Sequence, residues 1–224
     1  MDEIKTIEDQ IEKALWSLEQ AGEIEGALAA YREAEEKLGA LGIATDDSAY
    51  PEGQRVLAYC LMRQGNILRQ QGKAEEALAL GEREIAAARA SGDKITLART
   101  LMSNGTNRIV SGETDSGLAL ADQARELFEA GESHDHRQGL GWYWILQADL
   151  ANAGLIEREP AHVLGFAGRA LAILEPIENW PGVARAYAAR AAAHERMGHE
   201  REAARDRKEQ QHYEGRVEPE EEAG

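Results

Sequence analysis

The chain has 224 residues, a formal charge of −16, 5% aromatic side chains, five prolines and one cysteine. So strong a negative field repels phosphate backbones and anionic lipid, which excludes nucleic acid and membrane surfaces as expected partners. A single cysteine excludes an internal disulfide framework, and few aromatics and prolines beside plentiful Ala and Leu favour close-packed helices over sheets.

The excess acid is unevenly placed: residues 1–40 hold 11 acidic and 4 basic side chains, and residues 213–224 hold 5 and 1. A solvated surface that keeps a helical array soluble accounts for this, the alternative being recruitment of a basic partner. The N-terminal MDEIKTIEDQ has no apolar core of signal-peptide type, and no run approaches the roughly 18 apolar residues that span a bilayer. A cytoplasmic location is therefore expected.

In chain order, a helix is predicted over 4–20, with Ile4, Ile7, Ile11, Ala14, Leu15 and Leu18 at helical spacing on one side. Gly22 breaks it. A second helix over 23–38 turns Ala27, Leu28, Tyr31 and Ala34 inward, and Gly39 and Gly42 close it. Residues 43–54 read as a long connection in which Pro51 forces an extended residue before it. Helices are predicted next over 55–71 and 74–90, then over 94–111 and 114–130. The joints at 91–93 and 131–135 are short enough to oblige successive helices to pack antiparallel.

The following helix, over 137–153, carries Trp142, Tyr143 and Trp144, and Pro160 starts its partner at a position where proline is tolerated. Val163, Phe166, Ala167, Ala170 and Leu174 share one face of that partner. A last hairpin, 182–196 and 199–211, turns at Gly198; its second helix lacks large apolar residues, as the end of an array requires. Residues 212–224 form an acidic tail expected to be disordered.

Two of these hairpins match under a shift of 40 residues: Leu61, Met62, Gly65, Gly72, Leu78, Ala79, Leu80 and Ala90 meet Leu101, Met102, Gly105, Gly112, Leu118, Ala119, Leu120 and Ala130. Spacing between turn glycines is 50 from Gly22 to Gly72, 40 to Gly112, 42 to Gly154 and 44 to Gly198. A recurring period of this size marks a repeat array, in which one hairpin cannot bury both faces and stability comes from stacking. The reading is an all-α solenoid of about five antiparallel hairpins, about 4–41, 55–90, 94–130, 137–176 and 182–211, in a single domain over 1–211.

The array resembles tetratricopeptide repeats, which keep a small residue in the first helix, glycine at the turn, then alanine, an aromatic and alanine along the second. Gly22, Ala27, Tyr31 and Ala34 fit that pattern, as do Gly65, Gly72 and Ala77, then Gly105, Gly112, Ala121 and Ala124; Ala191, Gly198 and Ala203 fit in part. The period exceeds the usual value of about 34, and the proline that commonly ends each unit is missing at most joints. Units of this length are more similar to the long repeats of bacterial regulatory proteins and kinesin light chains. The resemblance implies a right-handed superhelix whose first helices line a concave groove that binds a peptide or protein.

On that groove face the expected binding residues are Tyr59, Met62, Arg63, Asn66, Arg69 and Gln70 at helical spacing, opposite Leu61 and Leu68. Arg99, Met102, Ser103, Thr106 and Asn107 should stand beside them one repeat on. Arginine and asparagine on a rigid wall suit carboxylates and peptide backbone, so a polar, locally basic ladder is expected. The alternative is an ordinary solvated helix face. In the version of these repeats that clamps chaperone tails, lysines and asparagines hold a carboxylate. Asn66 occupies one such position, but Met62 and Ser103 stand where lysine and asparagine are expected. Within the run Trp142, Tyr143, Trp144, at least one ring should reach the groove or a joint, and Trp144 is the candidate anchor.

Chemistry is sparse. His134, Asp135 and His136 with Glu132 sit on a predicted joint without further ligands at defined spacing. Cys60 has no histidine at helical spacing, His194 and His199 straddle a turn, and the glycines follow helix ends rather than a strand. No cofactor or metal is expected, and the predicted function is a non-enzymatic adaptor or regulator. The second reading is a scaffold that self-associates through its repeats.

Overall fold

The computed structural model describes residues 2–216. Among these, ten α-helices follow one another without a strand: α1 (Asp2–Ala14), α2 (Ile24–Ala40), α3 (Tyr50–Gln70), α4 (Ala74–Ser91), α5 (Lys94–Val110), α6 (Thr114–Glu129), α7 (His134–Asn152), α8 (Pro160–Leu174), α9 (Trp180–Arg196) and α10 (Glu200–Glu214). The all-helical hairpin architecture is the one the sequence predicts. The chain packs as two compact units, Met1–Ala124 and Arg125–Gly224, with the boundary inside α6 rather than at a joint.

The hairpin turns share one chemistry. Gly22, Gly72, Gly112, Gly154 and Gly198 all adopt positive φ, between 71° and 90°. The amide after each glycine reaches back to a carbonyl of the last helical turn: Glu23 to Leu18 at 2.8 Å, Lys73 to Leu68 at 2.8 Å, Glu113 to Arg108 at 2.9 Å, Leu155 to Leu150 at 2.9 Å and His199 to His194 at 2.9 Å. This closure satisfies carbonyls that would otherwise be orphaned, and it needs a left-handed residue that only glycine supplies without strain. The next helix starts within about two residues at most of these turns, so each pair must fold back on itself.

Several details differ from the sequence reading. The expected extended connection over 43–54 ends early, because Tyr50 and Pro51 open α3 instead. The Asp47 carboxylate accepts the Ala49 amide at 2.8 Å and its carbonyl accepts the Tyr50 amide at 3.0 Å; that turn delivers Pro51 to the helix start, where its missing N–H costs nothing. The first helix keeps its expected extent, but Leu15–Glu19 widens into a π-helical turn in which the Gln20 amide reaches the Leu15 carbonyl at 3.0 Å. At the other end α10 continues to Glu214, past the expected start of the tail, and 217–224 lie outside the described residues.

In the first unit Ile4, Ile7, Ile11 and Ala14 pack against Ala27, Leu28, Tyr31 and Val56, all buried; each large side chain there contributes about 1.5–3 kcal/mol by leaving water. In the α5–α6 hairpin the two backbones approach closely. A Cβ on Gly105 would lie 2.6 Å from the Gly117 carbonyl oxygen, and one on Gly117 would lie 2.5 Å from that of Gly105. Gly65, the repeat equivalent of Gly105, has no such neighbour: its Cβ would meet only Asn107 Nδ2, at 3.7 Å. A close crossing at this glycine thus holds in one hairpin and not in the preceding one. In the second unit Ile145, Ala170, Leu171, Leu174, Val183 and Ala186 form a buried core.

Candidate interaction face

Successive first helices of the first unit lie side by side. Arg55 of α3 reaches Glu8 of α1 at 2.6 Å, and Ser103 of α5 donates from Oγ to Asn66 Oδ1 of α3 at 3.1 Å. The second bond brings together the two halves of the expected face. Tyr59, Met62, Arg63, Asn66 and Arg69 on α3, and Arg99, Met102, Ser103 and Thr106 on α5, are all half-buried, while Leu61, Leu68, Ala98 and Leu101 point into the core. Thr106 donates to the Met102 carbonyl at 2.9 Å. Asn107 is the exception: it is 2% exposed and belongs to the interior, not to the face.

The electrostatics depart from the expected basic ladder. Arg63 forks onto Glu19 of the π-turn, with Nε at 3.2 Å from Oε2 and Nη2 on Oε1, and the Tyr31 hydroxyl donates to the same carboxylate at 2.7 Å. Burial pulls the Arg63 guanidinium toward neutrality, but Glu19 outweighs it and the group titrates above its ordinary value. Burial and the neighbouring Glu19 together push the Tyr31 phenol up. Arg55 is held between Glu8 and Glu52. Arg69 differs, since burial alone lowers its pKa and its Nε has no acceptor. Within the expected ladder Arg63 is therefore neutralised by Glu19 of the π-turn, and the neighbouring Arg55 by Glu8 of α1 and Glu52 of α3 itself.

Trp144 lies in the second unit, apart from the other expected residues in sequence. Its ring stacks on Phe166 at 5.7 Å and 21°, and Arg169 stands 4.5 Å from its centroid. Tyr143 is buried, whereas Trp142 and Trp144 are half-buried against the α7–α8–α9 core. The prominent open aromatic is one that the sequence reading does not single out: Trp16, 68% exposed on the π-turn. Its signal is nonetheless present, because Trp16 falls off the Ile4, Ile7, Ile11 stripe.

No group of three or more metal-ligating side chains assembles among the described residues. His136 pairs with the helix-capping Ser133 at 2.7 Å. Cys60 is buried and donates to the Tyr31 carbonyl at 3.0 Å; burial pushes its thiol up to about 12, which removes the thiolate a nucleophile needs. Glu84 is 1% exposed and burial raises its carboxyl to about 8. It faces Asn104, not an open cleft. No described helix is long and apolar enough to cross a membrane.

No protein-family profile matches the chain, and no curated protein matches it. Solved structures do. The crystal structure of BtubC (BKLC) from P. vanneervenii is similar with a TM-score of 0.63 at 13% identity, covering 100% of this chain and 96% of that one. A Podosopora anserina protein of kinesin-light-chain type with nearly identical TPR-like repeats is similar with a TM-score of 0.60 at 13% identity, covering 97% of this chain and 99% of that one. A substituted form of that same protein gives 0.56 at 12% identity, covering 97% and 98%. The chain has the TPR-like helical-repeat fold.

Proposed function

We propose that the protein is a non-enzymatic interaction module, acting as an adaptor or regulator, that holds a segment of a protein partner along the side-by-side first helices α3 and α5. One observation carries the reading: the Ser103–Asn66 bond aligns Tyr59, Met62, Asn66 and Arg69 with Arg99, Met102 and Thr106 as a single half-buried strip. A strip of thioethers, amides and hydroxyls on rigid helices offers apolar contact and backbone hydrogen bonds together. The fold supports the same reading, since hairpin repeats of this type present extended surfaces. A cytoplasmic setting accords with the single buried thiol.

The test replaces Met62 and Met102 with aspartate together and compares wild type and variant as bait in quantitative pull-downs from the native cell. A partner recovered by wild type should be lost from the variant while the helical melting profile is kept. Undiminished recovery would place binding elsewhere. Light scattering at micromolar concentration addresses the scaffold reading, because a stable oligomer abolished by the same pair of changes would assign the strip to self-association.

A further inference from the structure

Deepening the module reading, we infer that Trp16 and Glu12 together form a receptor for an arginine or lysine side chain of a basic partner segment, at the α1 end of the first-helix face. Three observations converge. The first is how the chain treats its other tryptophans: Arg169 covers Trp144 at 4.5 Å, Arg216 covers Trp180 at 4.7 Å, and Trp142 packs on the Ile145–Leu174–Val183 core. Trp16 alone among the four is an exposed ring, 68% open, and no other ring or cation is stacked on it among the described residues.

The second concerns the carboxylates beside it. Glu8 and Glu19 are occupied by Arg55 and Arg63. Glu12, exposed and four residues before Trp16, has no ion-pair partner among the described residues, yet its field reaches Tyr59 of α3. An open indole face with a free carboxylate one turn away matches what a guanidinium seeks: attraction to the ring quadrupole and a charge-assisted hydrogen bond. The third is position. Trp16 stands on the same π-turn that delivers Glu19 to Arg63 of α3, and turns of this kind recur at functional sites. The charge of the chain then selects the partner: with −16 overall and 11 acidic side chains in residues 1–40, a basic segment is drawn in and an acidic one repelled.

The test uses the full chain and two fluorescein-labelled, amidated peptides of about twelve residues, one of Arg, Leu and Ala and one with Glu for each Arg. Anisotropy should show saturable binding of the arginine peptide only. Trp16→Ala should weaken it by roughly tenfold, Trp16→Leu by nearly as much, because leucine keeps apolar area but has no quadrupole, and Glu12→Gln by roughly threefold. Both positions are exposed, so unchanged melting is expected and binding can be read directly. Absence of saturable binding, equal binding of the glutamate peptide, or an unchanged Kd in Trp16→Ala each overturns the inference. A dimer that Trp16→Ala dissolves assigns the site to a second copy and also overturns it. Loss of the native partner from the Met62/Met102 variant but not from Trp16→Ala would leave the module reading standing and sink this one.

Discussion

The side-chain amide of Asn104 donates to the Glu84 carboxyl at 2.8 Å, and Gln64, 40 residues earlier, donates to Glu35 at 2.7 Å. Each bond joins the second helix of one hairpin to the first helix of the next, so a polar contact recurs with the repeat. The two differ in setting. Glu35 also meets Arg83 and is partly exposed, whereas Glu84 is 1% exposed and its Oε1 has no partner. Burying a carboxylate this way favours the neutral acid.

Stability should therefore depend on pH through Glu84. Its folded pKa, about 8 through burial, lies above the ordinary 4.5. The contribution is fully present below pH 4.5 and is lost as pH rises through 8, because the unfolded chain releases the proton first. Urea denaturation of the first unit between about pH 5 and 9 should show a decline of a few kcal/mol at most. Glu84→Gln keeps an acceptor for Asn104 and should flatten that decline. A decline of equal size in the variant would assign the pH dependence to other groups.

Equivalent glycines should respond with opposite signs. In Gly105→Ala the new methyl meets the Gly117 carbonyl oxygen at 2.6 Å, backbone that can move only by separating α5 from α6; a loss of about 1–3 kcal/mol follows. In Gly65→Ala the methyl meets only the Asn107 amide at 3.7 Å, an ordinary contact, and the gain in helix propensity approaches about 1 kcal/mol. Thermal melts of the two variants should move in opposite directions. Parallel shifts would mean that the crossing is not what distinguishes them.

The thiol of Cys60 reports opening of the first unit. It is fully buried between α2 and α3, and its pKa of about 12 leaves almost no thiolate at neutral pH. Reaction with a disulfide reagent at about pH 8 should proceed only through local or global unfolding, and its rate should rise with urea in step with loss of helicity. Rapid stoichiometric labelling of the native protein would show that α2 and α3 separate readily.

What is legible in the sequence follows the range of the interaction. The turn glycines can be read because a left-handed helix end leaves glycine as the strain-free choice, and the hairpins follow from their spacing. Pro51 reads as part of a loop because a proline at a helix start and one in a loop look alike locally; the Asp47 turn decides between them. Trp16 is legible only as a residue off the Ile4, Ile7, Ile11 stripe; the π-turn beneath it, which breaks the 3.6-residue phase and leaves Leu15 and Leu18 half-buried instead of in the core, is not written in the periodicity. The neutralised charge of Arg63 is out of reach for a different reason. Arg63 meets Glu19 across 44 residues, and no local pattern encodes that meeting.

That pair yields the last expectation. The side chains of Arg63 and Glu19 are 19% and 11% exposed, so each is largely desolvated and depends on the other. Glu19→Ala strands the guanidinium and also removes the acceptor of the Tyr31 hydroxyl, which should cost about 3 kcal/mol or more. Replacing both partners, Arg63→Met with Glu19→Leu, removes the charge together with its counter-charge and should cost clearly less than Glu19→Ala alone, because no ion remains uncompensated. A double-mutant cycle followed by urea denaturation measures the difference. If the double variant is the less stable of the two, the fork on Glu19 contributes more than charge compensation, and Arg63 holds the π-turn itself in place. Either way, loss of binding in an Arg63→Ala variant alone would report a damaged face as readily as a missing contact, whereas Met62 and Met102 interrogate the strip without breaking an ion pair.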